Sequence, residues 1–320
     1  MAEYYLEFEK PIEELKKQID MLESSSVIDE NVKLQIEQLK KRYEDLKKEI
    51  YTKLTPAQKV LISRHPQRPY TKDYITGIFS NFIELHGDRN FRDDRSVICG
   101  FAELLLTDKR TISVAIIGQQ KGRSLEENLT VNFGMMHPEG YRKALRIMKL
   151  AEKFHMPVIS FIDTPGAYPG IGAEERGQAE AIAKNLQEMA ELKTPILCVV
   201  IGEGGSGGAL GIGVADRLLM LENAYYSVIS PEGCASILFR DSTQWQQAAE
   251  ALKLTAKDLY ELGIVDEIIP EPLGGAHKDV NKTIENVKNS IVRNITELIN
   301  IPLDELLKKR YRKYRQIGAS

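Results

Sequence analysis

Cysteine is scarce in this chain, and the scarcity excludes two kinds of scaffold. Cys99, Cys198 and Cys234 are odd in number and far apart. They form no C-x-x-C pair, so neither a disulfide framework nor a zinc knuckle is implied. Two of them lie in apolar runs and read as small core residues. Long apolar runs are also missing, and none approaches the length that spans a bilayer. The start, Met1-Ala2-Glu3-Tyr4-Tyr5, is acidic and lacks the basic and apolar regions of a signal peptide. The expected home is therefore a reducing cytoplasm. Charge of one sign is not in excess: the net value is −3, which makes no electrostatic case for a nucleic-acid partner. No internal repeat and no low-complexity tract occur. What remains is a globular mixture of 42% apolar and 28% charged residues over 320 positions. That suffices for one large core with appendages, or for two small domains.

The first sixty residues have a helical period. Ile12, Leu15, Ile19 and Leu22 recur at spacings of three and four, and Val32, Ile36, Leu39, Tyr43, Leu46 and Ile50 repeat the pattern. Ser24-Ser25-Ser26 interrupts it, which predicts an antiparallel hairpin. Such seams pack against something, either within the chain or on another subunit. A connector, His65-Pro66-Gln67-Arg68-Pro69-Tyr70, leads into a helix-like run over 73–85. Strands are then expected over 96–105, 111–118, 158–162, 196–201, 218–221 and 226–229, with helices over 138–155 and 173–191. Fully apolar strands alternating with helices predict an α/β domain covered on both faces. An amphipathic run over 280–299 leads to Lys308-Lys309-Arg310-Tyr311-Arg312-Lys313-Tyr314-Arg315. That cluster reads as a solvated helix end in preference to a nucleic-acid patch, because bases suit the negative terminus of a helix.

Two loops carry the chemistry. Asp163-Thr164-Pro165-Gly166-Ala167-Tyr168-Pro169-Gly170 and Gly202-Glu203-Gly204-Gly205-Ser206-Gly207-Gly208-Ala209 each follow an apolar strand and precede a helix. A strand-to-helix turn leaves backbone N–H groups unpaired, and glycine removes the side chain that would keep a ligand away. Such a turn can bind phosphate or hold an oxyanion. Nucleotide binding fails on detail, since G-x-x-x-x-G-K-[ST] is absent and no G-x-G-x-x-G opens a helix at the first βα unit. A serine hydrolase is the alternative: Gly204-Gly205-Ser206-Gly207-Gly208 matches G-x-S-x-G between a strand and a helix, and His277 follows later in the chain. A third reading is a thioester enzyme in which two backbone donors hold an enolate oxygen.

The third reading is the one that longer motifs support. The first loop with Ala173-Glu174-Glu175-Arg176-Gly177-Gln178, the second loop with Leu210, Tyr226-Ser227-Val228-Ile229-Ser230-Pro231-Glu232-Gly233-Cys234-Ala235-Ser236, and the proline connector stand in this order. Together they closely resemble the carboxyltransferase alpha-subunit family of multi-subunit acetyl-CoA carboxylases, over nearly the whole chain. The resemblance implies a crotonase-like α/β core of repeated ββα units, with a helical hairpin before it and a helical tail after it. The expected division is an arm over 1–60, a carboxyltransferase core over 61–275 and a tail over 276–320. The implied reaction moves a carboxyl group from carboxybiotin, borne by a separate biotin carboxyl carrier protein, to acetyl-CoA, giving malonyl-CoA for fatty acid synthesis. The implied partners are a zinc-bearing beta subunit in an alpha2beta2 assembly and biotin carboxylase in a larger complex. No metal and no membrane are expected for this chain.

The implied reaction places negative charge on the acetyl thioester enolate and on the ureido oxygen of biotin, which backbone N–H pairs can hold, and biotin can itself remove the methyl proton, so no side-chain base is required. Gly207 and Gly208 are the expected oxyanion donors. Gly204 and Gly205 are expected to let the loop approach the ligand, and Gly166 and Ala167 are the second pair of donors. By analogy with related carboxyltransferases, this hole faces biotin while the beta subunit holds most of the CoA. Elsewhere, Lys121 and Arg123 follow a strand and are candidates for a phosphate or an interface. His86-Gly87-Asp88-Arg89 reads as a charged turn, and Glu174, Glu175 and Arg176 as helix-capping charges. Cys234 would need a histidine beside it to act as a nucleophile.

Overall fold

The computed structural model describes residues 4–25 and 29–318. Met1, Ala2, Glu3 and Ser26, on which two expectations above fell, lie outside them. The arm is a hairpin of α1 (Lys10–Glu23) and α2 (Glu30–Thr52) that closes on itself. Ile12, Leu15 and Ile19 are buried along one stripe of α1. Asp29 starts α2 by accepting the Val32 N–H at 2.8 Å. The buried Glu9 carboxylate accepts from the Tyr51 hydroxyl and from the Leu6 N–H, which ties the end of α2 to the start of the chain.

Next come α3 (Pro56–Ser63) and α4 (Thr71–Ile78). The single helix expected over 73–85 is not formed. It stops at Ile78, Phe79 is extended, and Ser80–Glu84 becomes the edge strand β1. The reason is long-range: β1 pairs antiparallel with β2 (Val97–Leu105), and Phe82 and Leu85 pack on the core. β2 makes an antiparallel hairpin with β3 (Thr111–Gln119). After α5 (Leu125–Thr130) and α6 (Pro138–Lys153) the sheet turns parallel, through β4 (Val158–Thr164) and β5 (Ile196–Gly205). Every residue of β4 and β5 is buried, as the mostly apolar runs over 158–162 and 196–201 predict.

Between β4 and β5 run α7 (Ile171–Glu175) and α8 (Gln178–Glu191), two helices where one was expected. Gly177, at φ 81°, makes the break and starts α8. After β5 come α9 (Ser206–Leu210), β6 (Arg217–Leu221), β7 (Tyr225–Ser227), α10 (Pro231–Leu238), α11 (Trp245–Ala251), α12 (Ala256–Glu261) and β8 (Glu267–Ile269). The sheet order is β1-β2-β3-β4-β5-β6-β8, with the short β7 paired separately to the end of β5.

The chain closes with α13 (Val280–Leu298) and α14 (Leu303–Gln316). The basic cluster is only partly solvated, which corrects the expectation of a free helix end. Arg310 is buried; it pairs with Asp216 and donates to the carbonyls of Met189, Leu192 and Thr194, each at 2.8 Å. Those carbonyls lie at and just after the end of α8, where backbone acceptors lack partners. No helix among the described residues is long and apolar enough to cross a membrane.

Candidate active site at two strand-to-helix turns

Parallel pairing of β4 with β5 sets Thr164 opposite Gly204 and brings the two glycine turns side by side. Their backbones touch. A Cβ at Gly205 would lie 2.2 Å from the Pro165 carbonyl oxygen, and one at Gly208 would lie 2.5 Å from the Ala167 nitrogen. Neither distance tolerates a side chain, so these glycines allow the turns to pack on each other. At Gly204 the same direction is filled by the Tyr226 ring, 2.3 Å away. On that side Gly204 and Gly205 meet Tyr226 and Pro165 of this chain, so neither position has room for a side chain. Gly207 and Gly166 differ. A Cβ at Gly207 would meet only Ile182 methyls at 3.7 and 3.8 Å, and one at Gly166 would meet nothing within 4 Å.

The second turn runs straight into α9, and no side chain caps that helix. Its first N–H groups have no acceptor within the helix. Ser206 sits at the junction with φ 50°, a left-handed conformation unusual for a residue with a side chain. In the first turn, the Gly166 N–H donates to the Thr164 hydroxyl at 3.2 Å, while the Thr164 hydroxyl donates to the Gly166 carbonyl at 2.7 Å. Gly166 is thus partly engaged as a donor.

Charges clamp the stems of both turns. The Lys121 ammonium lies 2.7 Å from Asp163 and 2.6 Å from Glu203. Glu203 also accepts from Arg64 at 2.7 Å and from the Tyr225 hydroxyl at 2.9 Å. Burial alone would push the Glu203 carboxyl up, but Lys121 and Arg64 outweigh it and hold it at about 2. The two carboxylates likewise outweigh burial and raise Lys121. A lysine neutralised twice in this way does not serve a phosphate, which corrects one option considered for it. Arg123 is also engaged internally: it lies over the Tyr70 ring at 4.1 Å, donates to the carbonyls of Pro66 and Arg68, and pairs with Asp73.

The remaining candidates take structural places. His86 pairs with Asp93, and Asp88 pairs with Arg142. Arg176 pairs with Glu139, while Glu174 and Glu175 are exposed. Cys234 is buried in a small cluster with Ala235 and Ala248. His277 stacks on His65 with centroids 3.6 Å apart, and burial lowers it to about 2. Its ring nitrogens have no hydrogen-bond partner, so it does not serve Ser206.

Sequence reasoning missed the polar side chains that hold the turns from behind. Gln119, at the end of β3, accepts the Asp163 N–H at 3.1 Å and donates to the Gly208 carbonyl at 2.8 Å. Tyr141 donates to the same carbonyl at 3.3 Å. Asn185 donates to the carbonyls of Tyr141 and Gly211. The one signal available was a glutamine pair, Gln119-Gln120, ending an apolar strand. A cavity of about 850 Å³ opens beside Lys121, Arg95 and Glu127 and touches neither glycine turn. A smaller apolar one of about 260 Å³ has Ser206 and Leu210 on its wall, with Tyr226, Val228 and Leu252 opposite.

Residues 5–318 match the family described as acetyl co-enzyme A carboxylase carboxyltransferase-like. The chain belongs to this family. Relatives named acetyl-coenzyme A carboxylase carboxyl transferase subunit alpha agree along the whole length. One from Geobacter metallireducens is 53% identical over 319 residues, covering 99% of this chain and 98% of its own. Another from Halalkalibacterium halodurans is 54% identical over 314 residues, covering 98% and 95%. A crystal structure of transcarboxylase 12S, with methylmalonyl-coenzyme A and methylmalonic acid bound, superposes with a TM-score of 0.59 at 20% identity. The match covers 73% of this chain and 42% of that one, and it shows the crotonase-like fold. This carboxyltransferase is thus an alpha subunit of a multi-subunit acetyl-CoA carboxylase, with a beta subunit as its counterpart. No histidine among the described residues bonds to Ser206, so the hydrolase reading has no base to activate the serine.

Proposed function

We propose that this chain supplies half of a carboxyltransferase site, and that its two glycine turns hold developing negative charge. The observation that carries the reading is the contrast within the turns. Gly205 and Gly208 are closed by the chain itself, while Gly166 faces empty space beside the uncapped start of α9. In this reading the Gly207 and Gly208 N–H groups receive an oxygen that gains charge, with Ala167 and then Gly166 as the second choice. One such donor is worth roughly 2.7–4 kcal/mol of transition-state stabilisation. The open side of Gly166 and the uncapped start of α9 offer backbone N–H groups, the donor type that the ureido oxygen of biotin would take. Carboxybiotin, borne on its carrier protein, would supply the carboxyl group, which acetyl-CoA takes up to give malonyl-CoA while biotin is released.

The protein's own part is to position, to donate hydrogen bonds and to exclude side chains from the gap. The beta subunit, carrying zinc, completes the site and holds most of the CoA in an alpha2beta2 assembly. Biotin carboxylase joins the larger complex, in the cytoplasm. The test is partner dependence. The chain alone is expected to show negligible malonyl-CoA decarboxylation with free biotin, and adding the beta subunit is expected to restore it. Robust turnover by the isolated chain would remove the split-site reading.

A further inference from the structure

The structure assigns to Gln119 the role of a positioning residue that sets the two glycine turns relative to each other. Its amide is fully buried and both ends are engaged, one on each turn. Oε1 accepts the Asp163 N–H at the stem of the first turn, and Nε2 donates to the Gly208 carbonyl in the second. Asp163 lies near the end of β4 and Gly208 in α9, so one side chain from β3 spans both. The Gly208 carbonyl takes a second donor, Tyr141, whose own carbonyl accepts from Asn185. The rotation of α9, and hence the aim of its first N–H groups, depends on that carbonyl. This role rests on the proposed use of those N–H groups as oxyanion donors.

The geometry predicts a conditional replacement. In Gln119→Glu, the neutral acid donates its O–H to the Gly208 carbonyl and accepts the Asp163 N–H. The ionised form has only acceptors and faces that carbonyl with a lone pair. Burial raises the pKa of an introduced carboxyl. Among the described residues, its partner Asp163 on β4 faces Lys121 after β3 and Glu203 on β5 and feels the charge of Arg68 in the connector, and Tyr141 on α6 shares the Gly208 carbonyl. Lys121, Arg68 and Tyr141 titrate above their ordinary values, and Glu203 is held at about 2.

The experiment measures kcat per assembled complex with the beta subunit, using malonyl-CoA decarboxylation with free biotin, across about pH 6 to about pH 9. Gln119→Glu is expected to run close to the unsubstituted complex at the acid end and to fall about 10²-fold relative to it at the alkaline end, the scale of a small misplacement. Gln119→Leu, which has neither donor nor acceptor, is expected to be slow at every pH, and it carries the test if the glutamate variant does not assemble. A ratio of variant to unsubstituted kcat that stays flat with pH for Gln119→Glu overturns the role. So does full kcat in assembled Gln119→Leu. Normal kcat in Gly166→Val would instead strike the oxyanion reading itself, so the two failures are distinguishable.

Discussion

The two strand-to-helix turns look alike as sequence and differ as structure. In the second turn, Gly204, Gly205 and Gly208 all have their open side filled, by Tyr226, Pro165 and the Gly166-Ala167 backbone. In the first turn, Gly166 has nothing within 4 Å on its open side. Glycine therefore does two jobs here: at Gly204, Gly205 and Gly208 it allows close packing within the chain, and at Gly166 and Gly207 it leaves space. The difference teaches that glycine richness alone does not mark a ligand site; the direction in which a Cβ would point does.

The largest effect is expected where the turns share a clamp. Lys121→Met leaves the Asp163 carboxylate buried without its ammonium and takes one of two cations from Glu203. Breaking such a pair costs about 3–5 kcal/mol, read as a lower unfolding temperature. The sign with pH follows from the depressed carboxyl. Glu203 is held at about 2, so its stabilisation is present above the ordinary carboxylate range, about 4.3, and is lost as pH falls through the folded value. The gap between Lys121→Met and the unsubstituted chain should therefore be widest near neutrality and narrow as pH falls from about 4.3 toward 2. A gap that does not change over that range would contradict the clamp.

A smaller effect separates closed from open glycines in the same helix. Gly208→Val drives a side chain into the Gly166-Ala167 backbone, and overpacking of that kind costs about 1–3 kcal/mol. Thermal stability and kcat should fall together. Gly207→Ala places its methyl at ordinary contact distance from Ile182 and keeps the N–H, so it should melt no lower and keep its kcat. Equal losses in the two variants would break the distinction. The smallest effect belongs to Ser206→Ala. Activity should be retained, and a fluorophosphonate probe should leave Ser206 of the unsubstituted complex unlabelled; covalent labelling there would revive the hydrolase.

Local pattern made the buried strands legible, because β4 and β5 are built on short, mostly apolar runs, 158–162 and 196–201, bounded by turns. It also made both glycine turns legible, since each stands between such a strand and a helix. It failed wherever a distant partner decided the outcome. Residues 80–84 became a strand because β2 was there to pair with them. Arg310 became a buried staple because the carbonyls at the end of α8 and the Asp216 carboxylate converge on it. Lys121 reads in sequence as a free cation and lies in space between two carboxylates. Gln119 gives no periodic signal, since its value comes from two partners 44 and 89 positions away.

The central claim is that the space beside Gly166 belongs to the reaction. Gly166 does not occupy the left-handed region that only glycine favours, and nothing in the chain blocks a side chain there. The direct measurement is kcat per assembled complex for Gly166→Val, with assembly followed by size and stability by heat. Unchanged assembly and melting with kcat lower by about 10²-fold, the scale of a lost oxyanion contact or a small misplacement, is the expected result. Normal kcat in an intact complex would contradict it and leave that space without a role in carboxyl transfer.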